Sequence, residues 1–322
     1  MSTPRTEIAD LLRREDGFLL ASHATPDGDA LGSLVAMGHL LAALGKRFAL
    51  YNQSGVPEGY DWLPLPGPVL TRVPEDDFAW TVVLDCGAAH RVGEDLEPRL
   101  RPERTINIDH HLGNPGFGAV NWVDTSMSAV GEMVALLAHD LGVPLSGPLG
   151  EAVYLAVVTD TGSFTFGNTQ PRVLSLAAEI LSLGLDVADF NHKLLNNWSP
   201  GRLALWSRVL DRAHYTHDGK VGLVRISRSD LDATGTTALD TDNLVNMVRR
   251  VRGVQVAVSL REDEPRRIKF SLRSSGDVNV QAMAATLGGG GHKNASGGTV
   301  EADLDTAEAV VEAAVAKGLG LS

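Results

Sequence analysis

The chain has 322 residues, 43% of them hydrophobic, and a formal net charge of −12 at pH 7. This length is long for one compact core and comfortable for two domains. The acidic balance counts against the extended basic surface that sequence-independent binding of DNA or RNA requires. Cys86 is the only cysteine, which excludes an intrachain disulfide and a thiolate zinc cluster.

The first 16 residues carry acidic side chains and lack the apolar segment of a secretory signal. No apolar run approaches the ~20 residues that a membrane span needs. We therefore expect a cytoplasmic protein.

In the first half of the chain, short apolar runs alternate with helical patterns. Strands are predicted at residues 17–22, 47–51, 80–85 and 105–109. Helices are predicted at residues 29–44, 128–141, 149–158, 171–183 and 187–195. Buried strands that alternate with helices predict an α/β domain with a largely parallel, doubly wound sheet.

The pattern changes after residue 195. Residues 196–201 interrupt it, and a helix at about 202–213 is expected to act as a linker. Strands with half-buried alternation are then predicted at 220–226, 254–260 and 267–273, followed by a Gly-rich loop at 288–291, a strand near 298–301 and a helix at 306–317. We predict a first domain at 1–195, a linker helix at 196–213 and a smaller α+β domain at 214–322.

Polar residues with metal-ligand chemistry follow the first predicted strand. His23, Asp27 and Asp29 lie in a loop that opens a helix, where α/β sheets place their ligands. Taken alone, the loop is better explained as a turn in which Asp29 caps the helix.

Three later segments end in similar residues. Asp85 ends one apolar strand, Asp109 ends another and is followed by His110 and His111, and Asp160 follows an apolar helix. Each alone is compatible with an ordinary turn or a helix end. Three strands that end in Asp or His should nevertheless place these side chains along one edge of the sheet.

These residues together offer carboxylate and imidazole ligands. The candidate metal ligands are His23, Asp27, Asp29, Asp85, His110 and Asp160. Such a set suits two divalent ions, Mn²⁺ better than Ca²⁺, with Mg²⁺ or Co²⁺ as alternatives. Without thiolates, a structural zinc site is not expected.

The order of these motifs resembles that of the DHH phosphoesterase family. The resemblance rests on the HxxxDxD pattern from His23, the strand-end Asp85, the Asp109-His110-His111 triplet and the later Asp160. Residues 288–297 resemble the GGGGHxxAxG signature of the DHH-associated domain. The resemblance spans nearly the whole chain and is closest to bacterial nanoRNases that also dephosphorylate 3′-phosphoadenosine 5′-phosphate. It implies a two-metal phosphoesterase with its active site in the cleft between the domains.

The resemblance also implies roles for the metal ligands. His23 and Asp27 would hold one ion, and Asp85 would bridge to the second. That second ion would be held by Asp29, His110 and Asp160. Such a pair of ions activates water for attack on phosphorus.

Two residues of the triplet have other implied roles. Asp109 would orient a histidine and set its tautomer. His111 would face the scissile phosphate, where it could donate a hydrogen bond or assist the leaving group.

The second domain is expected to bind the remainder of the substrate. Glycine backbone can approach a phosphate closely, and an arginine can clamp one with two hydrogen bonds. The candidate substrate residues are Arg273, Ser274, Gly289, Gly290, Gly291 and His292, with Arg91 as a weaker candidate. The alternatives are a flexible glycine hinge and a solvated strand-end arginine.

Other functions remain open at the level of sequence. An exopolyphosphatase or pyrophosphatase is one alternative, and a non-catalytic nucleotide sensor is another. A module that binds long nucleic acid is disfavoured by the charge. Short RNA, 3′-phosphoadenosine 5′-phosphate and linear dinucleotides are not ranked, and a homodimer is expected only by analogy with the family.

Overall fold

The computed structural model describes residues 3–196 and 198–321. The chain forms two compact units, the first ending at residue 197 and the second beginning at residue 198. Met1, Ser2, Asn197 and Ser322 lie outside the described residues, and Asn197 belongs to the interruption predicted at 196–201. Among the described residues, no helix combines the length and apolar character that crossing a membrane demands.

The first unit contains one parallel sheet. Its strands are β1 (Phe18–Ser22), β2 (Phe48–Tyr51), β3 (Val69–Leu70), β4 (Trp80–Leu84), β5 (Thr105–Asp109) and β6 (Val120–Val123). They lie in the order β3-β2-β1-β4-β5-β6, and every neighbouring pair is parallel. The helices are α1 (Pro4–Arg14), α2 (Gly28–Ala43), α3 (Val130–Leu141), α4 (Gly147–Asp160), α5 (Pro171–Ser182) and α6 (Val187–Leu195).

Helix α2 is the central helix of this unit. It is apolar on nearly every side because it packs against the sheet and against α3 and α4. At Gly32 an added Cβ would lie 2.7 Å from the backbone oxygen of Ala152 in α4, so the two helices cross too closely for a side chain there. This close packing places the N-terminus of α2 beside the C-terminus of α4.

The second unit contains a mixed sheet. Its strands are β7 (His214–Thr216), β8 (Val221–Ile226), β9 (Val256–Glu264), β10 (Arg267–Ser274), β11 (Gly290–His292) and β12 (Ala295–Val300). The order is β11-β12-β10-β9-β8-β7, with β8 and β9 parallel and the other pairs antiparallel. The helices are α7 (Pro200–Leu210), α8 (Arg228–Thr234), α9 (Leu244–Arg249), α10 (Val280–Ala285) and α11 (Leu304–Gly318).

Helix α7 is the helix that we expected to act as a linker. Leu205, Trp206 and Val209 of α7 are buried in one core cluster with residues of β8, α8 and α9. A second cluster contains Phe270 and Leu272 of β10 together with α10 and α11. Helix α7 therefore lies within the second compact unit.

The two predicted fold classes are confirmed: a parallel α/β sheet comes first and a mixed sheet with helices follows. Helix α1 was not predicted. It has a buried face made of Ile8, Leu11 and Leu12, but its many charged residues make this apolar pattern weak in the sequence. The prediction of a loop throughout residues 288–291 is wrong, since Gly290 begins strand β11. An added Cβ at Gly291 would lie 2.6 Å from the Ala295 oxygen, so glycine allows β11 to pair closely with β12.

Asp230 is a buried carboxylate that ties α7 to α8. Arg208 and Arg212 donate to it at 2.7 and 2.8 Å, and it accepts from Ser227 in a capping box. Burial raises the pKa of Asp230, but the hydrogen bonds from Arg212, Arg208 and Ser227 outweigh burial and hold the pKa well below its usual range.

We expect Asp230→Ala to lower the free energy of unfolding by about 2–4 kcal/mol at neutral pH. The folded-state pKa lies below the unfolded value of about 3.9, so this stabilisation is present above that pH and is lost as the pH falls through the folded-state pKa. Urea unfolding should therefore show a difference that shrinks below about pH 4. The control is Asp232→Ala, an exposed partner of Arg228, and an equal loss in both variants would contradict the prediction.

Candidate metal centre

The candidate ligands lie at the carboxyl-terminal ends of neighbouring strands. His23 follows β1, Asp85 follows β4, and Asp109 is the last residue of β5. Because these three strands are adjacent and parallel, their ends meet at the same edge of the sheet. The structure therefore brings together side chains that are far apart in sequence.

Asp85 is the centre of this group. Its side chain is buried, and its oxygens lie 3.6 Å from His23 Nε2, 3.6 Å from His110 Nε2 and 3.5 Å from His111 Nδ1. These separations are too long for hydrogen bonds but suit ligands that share an ion at about 2.1 Å. Asp85 Oδ1 is buried without a hydrogen-bond partner among the described residues.

The backbone of Asp85 is also unusual. Its φ of 53° lies in the left-handed region, which a residue other than glycine rarely adopts. Backbone strain of this kind persists where the surrounding structure enforces it, and it is concentrated at functional sites. Burial raises the pKa of Asp85, but His23, His111 and His110 outweigh burial and hold the pKa below its usual range.

His23 and His110 each have one ring nitrogen bound to the backbone. His23 Nδ1 lies 2.9 Å from Ala24 O, and His110 Nδ1 lies 3.1 Å from Met127 O. A carbonyl oxygen only accepts, so Nδ1 carries the proton in both rings. In the neutral ring, Nε2 then presents its lone pair toward Asp85, as a metal-binding imidazole requires.

Two overlapping groups of potential ligand atoms result. The ligand atoms of His23, Asp27 and Asp85 lie within 4.8 Å of one another, and so do those of Asp29, Asp85 and His110. Asp85 belongs to both groups. This arrangement fits two ions that share one carboxylate.

Asp160 lies beside the second group, with Oδ2 at 3.8 Å from His110 Nε2. Burial raises its pKa to about 7 even though His110 acts in the opposite direction. Burial, together with the charges of Asp85 and Asp160, also raises the pKa of Asp29 well above its usual value. These shifts express first the burial of the carboxylates and second their mutual repulsion, and a divalent cation would relieve both.

Asp27 and Asp29 also cap helices. Asp27 Oδ1 accepts from the backbone amides of Asp29 and Ala30 at the start of α2. Asp29 accepts from the amides of Val130 and Gly131 at the start of α3, at 2.7 and 3.0 Å. Helix N-termini favour negative charge, so these bonds help to hold the two carboxylates in place.

His111 is held by a chain of hydrogen bonds. Its Nδ1 lies 2.8 Å from Asp109 Oδ1, and Asn114 donates to Asp109 Oδ2 at 2.6 Å. Asn114 also donates to Asn107 Oδ1 at 2.8 Å. Burial raises the pKa of Asp109, but the bonds with His111 and Asn114 prevail and lower it, so Asp109 stays ionised and orients the ring. The ligand atoms of Asp85, Asp109 and His111 also form a third close group, but the hydrogen bond to Asp109 already occupies Nδ1 of His111.

Several asparagines at this site were not predicted from the sequence. Asn114 orients Asp109, Asn52 donates to Ser22 Oγ and His23 O, and Asn168 donates to Asp160 O at 3.1 Å and Asp160 Oδ2 at 3.2 Å. An asparagine in a turn is so common that its residue type alone carries little signal. Only the folded chain brings these amides to the carboxylates and the strand end.

Arg91 does not enter the group of ligand atoms. It lies in the short helix Ala89–Val92, and its carbonyl accepts from the Ala24 amide at 2.7 Å.

Cys86 is fully buried, and burial raises the pKa of its thiol to about 12. A thiol with so high a pKa is inert at neutral pH.

The candidate substrate residues of the second unit lie at one end of its sheet. Arg273 and Ser274 end β10, and Arg273 is paired in register with Ala295 of β12. His292 ends β11, the partner strand of β12. Gly290 has open space around its Cα, whereas an added Cβ at Gly289 would lie 2.3 Å from Gly297 O.

Two family models match the chain. The DHH family, N-terminal domain, matches residues 18–157, and the DHHA1 domain matches residues 219–317. A Thermus thermophilus protein named bifunctional oligoribonuclease and PAP phosphatase NrnA is 37% identical over 314 residues, covering 95% of this chain and 92% of that protein.

Solved structures agree with these matches. An exopolyphosphatase-related protein from Bacteroides fragilis has a TM-score of 0.88 and 27% identity, covering 98% of this chain and 96% of that chain. RecJ from Thermus thermophilus in complex with Mn²⁺ has the same fold at a TM-score of 0.54 and 14% identity, covering 99% of this chain and 55% of that chain.

We expect Asn168→Ala to weaken the binding of Mn²⁺ by about 10-fold or more, because Asp160 loses the amide that orients its carboxylate. Electron paramagnetic resonance of free Mn²⁺ measures this affinity without any substrate. Asn246→Ala removes an amide that bonds Asn243 in the second unit and should bind Mn²⁺ like the wild type. An unchanged affinity in Asn168→Ala would show that Asp160 does not need this support.

Proposed function

The chain belongs to the DHH family, and from this premise we propose that it hydrolyses short oligoribonucleotides and 3′-phosphoadenosine 5′-phosphate to mononucleotides. It is a hydrolase of phosphoester bonds. The observation that carries the proposal is the pair of ligand groups that share Asp85 at the strand ends. The name of the Thermus thermophilus relative supplies the two substrates.

The residues present suit a pair of divalent ions. The donors are carboxylates and neutral imidazoles, and Asp85 Oδ1 is a buried acceptor without a partner among the described residues. One ion would be held by His23 and Asp27. The other would be held by Asp29, His110 and Asp160, and Asp85 would contact both ions. When bound, such ions supply Lewis-acid activation of water and neutralise charge on the phosphoryl oxygens. We propose Mn²⁺ as the first ion to test.

His111 is the residue that we propose to act on the substrate. Asp109 accepts from Nδ1–H, which fixes the orientation of the ring. When the ring is protonated, Nε2–H donates to a phosphoryl oxygen or transfers its proton to the departing oxygen. In the second unit, we propose a binding site for the phosphate and nucleoside distant from the cleaved bond. Its residues are Arg273, Ser274, Gly289–Gly291 and His292. Arg91 remains a proposed phosphate contact.

The two units thus have different proposed roles. Residues 1–195 would carry catalysis, and residues 214–322 would bind the substrate. A cytoplasmic location and a homodimer also belong to this proposal, and light scattering on the purified chain tests the dimer.

We expect the purified chain with Mn²⁺ to release mononucleotides from a 5′-phosphorylated RNA dinucleotide and phosphate from 3′-phosphoadenosine 5′-phosphate. A chelator should abolish both activities, because no side chain replaces the lost cations. The double variant Asp109→Ala/His110→Ala should be inactive, because it removes the proposed ligand His110 and the carboxylate that orients His111. Chromatography of the products measures both reactions.

Polyphosphate is the informative second substrate, because the Bacteroides fragilis structure of high similarity is described as exopolyphosphatase-related. Release of phosphate from polyphosphate, with neither nucleotide substrate cleaved, would replace the proposed substrate and keep the metal centre. Bound Mn²⁺ without hydrolysis of any of these substrates would indicate a nucleotide sensor.

We expect His111→Asn to lower kcat by about 100-fold or more, the usual contribution of a positioned acid or base. Its affinity for Mn²⁺ should stay near that of the wild type, because Nδ1 of His111 is engaged by Asp109. The control is His139→Asn, which removes an exposed histidine that bonds Glu179 in the same unit. A loss of Mn²⁺ from His111→Asn would instead assign His111 to the ligands.

A further inference from the structure

One short segment of the first unit contacts two of the proposed ligands of the second ion. It comprises residues 126–131, between β6 and the first turn of α3, and we call it the β6–α3 segment. Met127 O accepts from His110 Nδ1 at 3.1 Å. Two backbone amides in the first turn of α3 donate to Asp29 at 2.7 and 3.0 Å. The position of this segment therefore sets the orientation of both ligands.

The same segment supports the third proposed ligand of that ion, Asp160, through Asn168. Asn168 Nδ2 lies 3.1 Å from Ser128 O and 3.2 Å from Asp160 Oδ2, so one amide joins the segment to the carboxylate. Ser128 Oγ in turn donates to Asn168 O at 2.7 Å. Ser128 thus holds the residue that orients Asp160 through both its hydroxyl and its carbonyl.

The proposed ligands of the first ion are held by other parts of the unit. His23 Nδ1 donates to Ala24 O at 2.9 Å, and the Asn52 side chain donates to His23 O at 2.8 Å. Asp27 accepts from two backbone amides in the first turn of α2. A displacement of the β6–α3 segment should consequently disturb the second ion and spare the first.

Glu132 and Arg172 fasten the β6–α3 segment. Glu132 is buried, and its Oε2 accepts from the Ser128 amide at 2.7 Å while its Oε1 accepts from Arg172 Nε. Arg172 also donates through Nη2 to Ser126 O. Both oxygens of Glu132 are thus engaged, so this buried acid holds the segment rather than an ion.

The two residues reach the segment from different helices. Glu132 lies in the first turn of α3, and Arg172 lies in the first turn of α5. A guanidinium is planar and donates in fixed directions, so Arg172 can hold Glu132 and the Ser126 carbonyl at the same time. A buried carboxylate also needs such a partner, because an unpaired buried charge is costly. Loss of the guanidinium would therefore loosen the segment at Ser126 and, through Glu132, at Ser128.

We propose that Glu132 and Arg172 are positioning residues for the second ion. Together they hold the backbone segment on which Asp29, His110 and Asp160 depend for their orientation. The inference rests on the proposed metal centre and deepens it, because it gives the two ions separate supports. Neither residue touches an ion or the substrate.

The test measures Mn²⁺ binding to the full chain by electron paramagnetic resonance, without any substrate. The wild type should bind two ions, and two ions that share Asp85 should show magnetic coupling. We expect Arg172→Gln to weaken one of the two sites by about 10-fold or more, the usual effect of losing the groups that orient a metal ligand. At Mn²⁺ concentrations that fill only its stronger site, the bound ion should show no coupling.

Combination with ligand variants identifies the affected ion. Asp160→Ala removes a proposed ligand of the second ion, so adding Arg172→Gln to it should weaken Mn²⁺ binding little further. His23→Ala removes a proposed ligand of the first ion, so adding Arg172→Gln to it should weaken the one site that remains. Arg172→Lys keeps a cation beside Glu132 but lacks the planar fork, and it should show the same selective loss to a smaller extent.

The matched control is Arg5→Gln. Arg5 also joins a carboxylate to a backbone carbonyl on α3, because it donates to Asp140 Oδ2 at 2.6 Å and to Leu136 O at 3.2 Å. These contacts lie toward the other end of the helix, so this variant should bind both ions like the wild type. Circular dichroism of the metal-free proteins checks that each variant is folded, and Arg172→Lys carries the test if Arg172→Gln is not.

Three results would overturn the inference: unchanged affinity at both sites in Arg172→Gln or, if that variant does not fold, in Arg172→Lys; an equal loss at both sites; or an equal loss in Arg5→Gln. A wild type that binds fewer than two ions would overturn it together with the metal centre. A wild type that binds two coupled ions, with the selective loss in Arg172→Gln, but cleaves neither nucleotide substrate would contradict the proposed function alone.

Discussion

The burial of several carboxylates close together is the constraint on which the metal centre of the first unit depends. Asp29, Asp85 and Asp160 are drawn together at the end of a parallel sheet, and burial raises the pKa of Asp29 and Asp160. Nearby imidazoles outweigh this cost at Asp85 but not at Asp160. A pair of divalent cations would remove it, so the feature that is least favourable for folding is the one that would make the site bind metal tightly.

The surrounding polar groups give each ligand one orientation. Backbone carbonyls accept hydrogen bonds from Nδ1 of His23 and His110. The backbone amide of Val130 donates to Asp29, and the Asn168 side chain donates to Asp160. Such contacts fix tautomers and carboxylate rotamers before any ligand arrives. His111 is treated differently, because a carboxylate rather than a carbonyl holds its Nδ1. That difference separates the histidine proposed to act on phosphate from the histidines proposed to bind metal.

The second unit differs from the first in its balance of charge. Residues 198–322 contain 16 of the 28 Lys and Arg residues and 15 of the 40 Asp and Glu residues, so the acidity of the chain resides in the first unit. Several arginines of the second unit are paired with carboxylates, as Arg225 is with Asp305, Arg261 with Asp263 and Arg267 with Glu264. The overall charge of −12 therefore describes solubility better than it describes substrate binding.

The sequence by itself determined the fold class and the candidate ligands. Apolar strands have a local signature, and parallel strands place their carboxyl ends together, so His23, Asp85 and Asp109 could be grouped without coordinates. The tertiary structure alone decided which groups orient those ligands, since Asn114 and Asn168 reach them through turns whose residue types are unspecific. It also decided that glycine at 290–291 pairs as a strand and that Arg249 lies beside the end of β10. Strand pairing joins residues that are distant along the chain, and no local pattern records that register.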